Sequence, residues 1–288
     1  MAIAFRAASS AGGGGGANLT IPKPTGTAEN DILVCVYYSE LSSIRPPNGW
    51  TQLLQRAVVS DWDWWATVFW KRAGASEPSD YTFKHANTWR WAVMLAFSGC
   101  TTSGSPIDVY SENLSYSATV TALSITTTVD SAMLVMAAVA EYEGFYSNWS
   151  SPLTERVDYQ SIGVASGIQE AAGASGNKTS DFTVTTNIVG VLLALKPESV
   201  LTIAPSGIAS TVRLGSHTVS LATITISPTA ISSTASLGSH TVSVGAVTVS
   251  PGGIASTAAL GSHTVSPGAV TVSPDGIASA ASLGSHVV

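Results

Sequence analysis

"DILVCVYY", residues 31–38, decides how the larger part of this 288-residue chain is read. Eight mostly β-branched, aliphatic and aromatic residues stand between the polar clusters "AEN" and "SELSS". That length and composition, with turn-forming flanks, marks a strand. Runs of the same kind recur as "WWATVFWKR" (64–72), "WRWAVMLAFSG" (89–99), "AMLVMAAVA" (132–140) and "IVGVLLALK" (188–196). Between them lie "RPPNGW", "GASEPSD" and "GASGNKTSD", whose proline, glycine and Asx chemistry favours turns. The best helical candidate, "SIGVASGIQEAAG", is interrupted by glycines. Many short strands with frequent turn signals predict an all-β fold, an antiparallel sandwich of about 200 residues. "WATVFWK" alternates apolar and polar residues, as expected where one sheet face meets the core and the other meets water.

Composition narrows the function. Apolar residues make up 45% of the chain, enough to bury a core, whereas charged residues make up only 10%, well below the usual quarter or so. Ser, Thr, Gly and Ala fill the gap. The net charge is −6 with no basic cluster, so there is no electrostatic footprint for nucleic acid and no polybasic face for an anionic membrane. The start, "MAIAFRAASSAGGGGG", lacks the pattern of a secretory signal, and no apolar run reaches the roughly 18 residues that span a bilayer. The expected product is made in a host cytoplasm and inserts in no membrane. Cys35 and Cys100 lie in apolar strand-like runs and read chiefly as buried free thiols, with a single disulfide as the lesser alternative.

All 8 Trp, 8 Tyr and 6 Phe precede residue 197, and after residue 200 only Arg213 and Asp275 carry formal charge. This shift places a domain boundary at "KPESV", Lys196–Val200, separating a sandwich over 1–197 from a second region over 198–288. The second region repeats with a 23-residue period: "LTIAPSGIASTVRLGSHTVSLAT", "ITISPTAISSTASLGSHTVSVGA", "VTVSPGGIASTAALGSHTVSPGA" and the shortened "VTVSPDGIASAASLGSHVV". Ile208, Ile231, Ile254 and Ile277 are in phase, as are Leu214, Leu237, Leu260 and Leu283. A fixed period without insertions means that each repeat packs on the next as an equivalent unit. One repeat has too few aliphatic side chains to fold alone. The expectation is a β-rich stalk in which these isoleucines and leucines hold several chains together, with a homotrimer favoured. Near-identical faces from symmetry mates would oppose like charges, which accounts for the missing charge. A flexible linker would not need Ile, Leu and Val held in phase.

Two resemblances bear on function. The order "NDILVCVYY", "PPNGWTQL", "VFWKRAGASEPSDYTF", "WAVMLAFSG", "PIDVY", "ITTTVDSAMLVMAAVA", "LTERVDY", "GVLLALKP" resembles a jelly-roll-type β-sandwich common in tailed-phage virion proteins. Its marks are the strand start Asn30-Asp31-Ile32-Leu33, with Asn in place of Gly, the turn Pro47-Asn48-Gly49-Trp50, and "EPSDYTF". The "I-x-P-x-GIAS…G" pattern over 201–288 is similar to short repeats near the ends of phage tail and fibre proteins. These resemblances imply a virion-associated building block on a phage-like particle, as a decoration, fibre or spike component, and bring no catalytic residues.

Candidate chemistry is sparse. His217, His240, His263 and His286 are in phase, and symmetric assembly would set each in a ring able to bind a metal or anion. No carboxylate, cysteine or second histidine accompanies each one within its repeat to complete a chelate, so a turn-capping role is preferred. "SDWDWW" (60–65), "WRW" (89–91) and "EYEGFY" (141–146) concentrate aromatics beside acids. Flat rings with hydrogen-bonding carboxylates suit a sugar-binding groove or a protein interface. Trp62, Trp64, Trp65, Trp89 and Trp91 are therefore the candidate ligand patch, against the plainer reading of alternating Trp as core and edge cover. The pairs Asp61/Asp63 and Glu141/Glu143 do not by spacing identify two carboxyls flanking a substrate. There is no G-x-S-x-G, H-E-x-x-H, P-loop or dinucleotide fingerprint. The pentaglycine at 12–16 reads as a mobile loop or a close-packing arm. The expectation is a non-enzymatic virion structural protein without cofactor, whose partners are its own copies and other capsid or tail proteins. The alternative is a receptor-binding module that grips host surface glycans.

Overall fold

Residues 32–39 and 132–140 are buried at every position, which one wet sheet face would not allow. The computed structural model shows why: each sheet of the sandwich is covered on both faces. Two compact units divide the chain, Met1–Glu198 and Ser199–Val288. The structure describes residues 2–14, 17–60 and 62–198, and beyond these only the backbone of short strand segments between 200 and 287.

In the first unit, β1 (Ala4–Gly13), β2 (Asn18–Pro22), β3 (Ile32–Ser39), β4 (Thr51–Val58), β5 (Trp64–Arg72), β6 (Asp80–Lys84) and β7 (Arg90–Ser98) build one side. The other side is built by β8 (Ile107–Ala122), β9 (Thr126–Thr127), β10 (Ala132–Ala140), β11 (Tyr146–Ser147), β12 (Thr154–Tyr159), β13 (Ile162–Gln169), β14 (Gly173–Ala174) and β15 (Lys178–Leu195). The first sheet has the order β1-β7-β3-β5-β4 and the second β8-β15-β10-β13-β12, all antiparallel. Counting only these five main strands of each half, the two sheets follow one path. The registers agree as well. In β3, Val36 faces Val68 and Val93; in β10, Ala137 faces Val164 and Val191. Both outer strands carry a bulge at the same place, at Leu53 in β4 and Arg156 in β12. Each central strand is preceded by a non-glycine residue at positive φ, Asn30 (67°) and Ser131 (56°).

Between the sheets lies the central core, with Ile32, Val34 and Val36 from one side and Met133, Val135, Ala137 and Val139 from the other. The alternate residues of β3, Leu33, Cys35 and Tyr37, point into an outer core roofed by the β2–β6 ladder and filled by Ile21, Trp50, Tyr81 and Phe83. Those of β10, Leu134, Met136 and Ala138, meet a second outer core with Val120, Ala122, Leu153 and Phe182. Its roof is made differently. Strands β8 and β15 pair over Ser117–Ile107 with Thr186–Leu195, then continue past a register break to pair Thr119–Ala122 with Asp181–Lys178. β8 thus runs from the sheet edge, and β15 from the strand beside it, into the roof. An apolar residue on either face of β3 or β10 is removed from water, so neither strand alternates.

The all-β, antiparallel sandwich matches the expectation. A jelly roll sends successive strands back and forth between its sheets; here β1–β7 stay on one side and β8–β15 on the other, so the strand order does not reproduce that path. Cys35 and Cys100 are both buried free thiols, and burial raises the pKa of each, that of Cys100 to about 12.

In the second unit, equivalent segments of successive repeats pair in parallel within the chain. Val200–Ile203 pairs with Thr223–Ile226, which pairs with Ala246–Val249, and that in turn with Val270–Val272. Leu214, Leu237, Leu260 and Leu283 share one register position, and so do Ile254 and Ile277. Ile208 and Ile231 lie outside the described residues. His217, His240, His263 and His286 also occupy one register position in adjacent strands.

Candidate functional site

Both central strands leave their sheets at a glutamate, Glu40 after β3 and Glu141 after β10, at equivalent positions of the two halves. Glu40 is held by the two residues that lead into β7, and Glu141 by β15. Glu40 N–H donates to the Trp89 carbonyl (3.3 Å), and Thr88 Oγ1 (2.9 Å) and Trp89 N–H (3.3 Å) donate to its carboxylate. Glu141 N–H donates to the Asn187 carbonyl (3.0 Å), and Asn187 Nδ2 (2.9 Å) and Thr186 Oγ1 (3.4 Å) donate to its carboxylate. Ser60 Oγ donates to the remaining Glu141 oxygen (2.7 Å) and accepts from Trp62 N–H (3.3 Å), which fixes the loop that presents Trp62.

These glutamates border a groove of about 470 Å³, within the range of small-ligand sites. One wall is a column of rings. Trp64 stacks on Tyr38 (centroids 5.2 Å apart), Tyr38 lies 4.9 Å from Trp91, and Trp91 stacks on Trp89 at 6.0 Å and 18°. Exposure rises along the column from 0% at Trp64 to 54% at Trp89. Two glycines let the outer rings lie against β1: a Cβ on Gly12 would fall 2.4 Å from the Trp91 ring, and one on Gly14 3.0 Å from the Trp89 ring. At these two positions the glycine run is a close-packing arm. The rest of the lining is Trp62, 70% exposed, with Tyr142, Glu143 and Ser161. Burial, and next to it the charge of Glu40 and Glu141, pushes the Tyr38 phenol well up, so its hydroxyl keeps its proton.

The structure thus brings "SDWDWW", "WRW" and "EYEGFY" to one place. Of the candidate patch, Trp62, Trp89 and Trp91 line the groove. Trp64 is sealed behind it as the foot of the ring column. Trp65 follows on the opposite face of β5, against Ser39 and Ala57, and is not part of the groove. Sequence reasoning missed Tyr38, Glu40 and Ser161; the signal available was the "YSE" that closes the "DILVCVYY" run.

Other candidates do not gather. Asp63 accepts from Ser60 N–H (3.3 Å) at the loop base, and Asp61 is outside the described residues. No group of three His, Cys, Asp or Glu side chains among the described residues could hold a metal ion. His85 is buried edge-on to Tyr37, and burial lowers its pKa. No helix of the described residues is long and apolar enough to cross a membrane. No protein-family model matches the chain, nor does any curated protein or solved structure.

Proposed function

We propose that the chain is a non-enzymatic structural component of a phage-like virion whose first unit recognises surface glycans. The observation that carries the recognition role is the groove, where rings, carboxylates and a hydroxyl from five separate segments converge around a ligand-sized space. Sugars present flat apolar C–H faces and a fringe of hydroxyls; stacked tryptophans take the first, and carboxylates and hydroxyls take the second. Both glutamates of the two central strands already accept bonds from neutral donors that set their direction, an arrangement suited to binding. The virion placement rests on the sequence resemblance, and its partners would be capsid or tail proteins. The in-phase repeats supply the second role, a stalk that assembles as a homo-oligomer, with a trimer favoured. The in-register pairing of successive repeats supports a stacked array.

A glycan array probed with the intact protein tests the reading. We expect a defined set of sugars to bind, with loss of at least tenfold in Trp62→Ala and Trp89→Ala and no change in oligomer mass by light scattering. A protein that assembles but ignores a broad array would leave only the structural role.

A further inference from the structure

We infer that the groove selects an organic ammonium group, as carried by an amino sugar, over neutral sugars. The inference rests on the groove being the ligand site proposed above and names the chemistry that it takes. Three carboxylates border it, Glu40, Glu141 and Glu143, and no Lys, Arg or His is among the described residues that line it. None of the ion pairs among the described residues involves these glutamates; their described bonds come from neutral hydroxyl, amide and backbone donors. The same space is walled by the exposed rings Trp62 and Trp89, whose π-faces are electron-rich. Negative charge beside open ring faces is complementary to a cation. The cation is not a bare metal ion, because the carboxylates do not converge as a chelating group; ring faces and spread carboxylates fit an organic ammonium, which donates N–H bonds to carboxylates while the carbon skeleton that carries it lies on the rings.

An independent observation points to a ligand at the same place. Ser161 is 1% exposed, lines the groove, and its Oγ has no hydrogen-bond partner. A buried hydroxyl left unpaired costs stability unless something completes it. A sugar hydroxyl beside the ammonium is the group that would do so.

The test is calorimetric titration of the full chain at pH 6 and low salt with a glucosamine trisaccharide, its fully N-acetylated counterpart, and choline. We expect the free-amine sugar to bind at least tenfold tighter than the acetylated one, and its affinity to fall as salt is raised. Glu143 is exposed, so Glu143→Gln should leave the unfolding midpoint unchanged while weakening the free-amine sugar about fivefold or more and the acetylated sugar little. Binding of choline without either sugar would uphold the ammonium site and overturn the glycan reading. Equal or tighter binding of the acetylated sugar would overturn the ammonium inference and leave the glycan reading standing. Binding of none of the three would overturn both.

Discussion

The two halves of the sandwich trace the same path with different side chains. At equivalent places the first half has Tyr37 over Ala92 and the second Ala138 over Gly190. The first outer core is filled by rings, Tyr37, Trp50, Tyr81 and Phe83. The second holds two packed rings, Tyr146 and Phe182, and beside them brings backbone closer: a Cβ on Gly190 would lie 2.6 Å from the Thr121 carbonyl oxygen. One path can therefore be packed to density either with more rings under a separate ladder or with fewer rings and closer backbone under a long strand that folds over its own sheet. The same contrast makes the groove. Glu40 and Glu141 correspond, but Trp89 and Trp91 stand where the second half has Asn187 and Val189. The first half gives the ring wall with Trp62 and Glu40, and the second gives Glu141, Tyr142, Glu143 and Ser161.

Equivalent core positions should respond alike. Leu33→Ala and Leu134→Ala each empty a fully buried site in an outer core and should each cost about 2–5 kcal/mol. All tryptophans lie in the first unit, so urea unfolding followed by their fluorescence reports on it alone. A large cost for one and almost none for the other would break the equivalence.

A smaller effect sharpens the difference between the halves. Gly190→Ala should destabilise by about 1–3 kcal/mol because its methyl meets backbone. Ala92→Gly in the first sheet, which only removes a methyl and loosens the chain, should cost about 1 kcal/mol. Equal costs would mean that the second roof does not press on its sheet.

The smallest effect concerns acid. Burial opposes the charge of Glu77, but bonds from Lys71 (2.7 Å), Gly74 N–H (2.6 Å) and the Tyr81 hydroxyl (2.7 Å) outweigh it and hold the carboxyl below its ordinary value. The unfolded chain therefore takes the proton first as pH falls. The stability that this group supplies is present above the ordinary carboxylate range and is lost as pH drops toward the folded value. Glu77→Gln should lower the unfolding temperature near pH 7 and flatten its decline between about pH 5 and 3. An unchanged decline would remove Glu77 from the account of acid sensitivity.

Strand-forming runs, turns, the domain boundary and the repeat period were legible because each is written locally, in β-branched content, proline and glycine, or phase. The doubled path was not, although a trace of it exists: Asn30–Glu40 and Ser131–Glu141 stand at a constant offset of 101 residues, each with an apolar strand closed by Glu. Side-chain identity diverges between them, Tyr37 against Ala138 and Cys35 against Met136, because the roofs differ. The aromatic-acidic segments were visible, and Trp62, Trp89 and Trp91 with them. Which of two adjacent tryptophans faces the core depends on strand phase, and the sequence alone did not place Trp64 inside. Ser161 carries no local mark; its importance comes from being buried at the groove without a partner.

The most direct test follows the tryptophan indole N–H signals by NMR while a bound glycan from the array is titrated into the protein. We predict that Trp62, Trp89 and Trp91 shift with a common affinity while buried Trp50 and partly buried Trp70, both outside the groove, hold still. Shifts confined to tryptophans outside the groove would contradict a recognition site between the two halves.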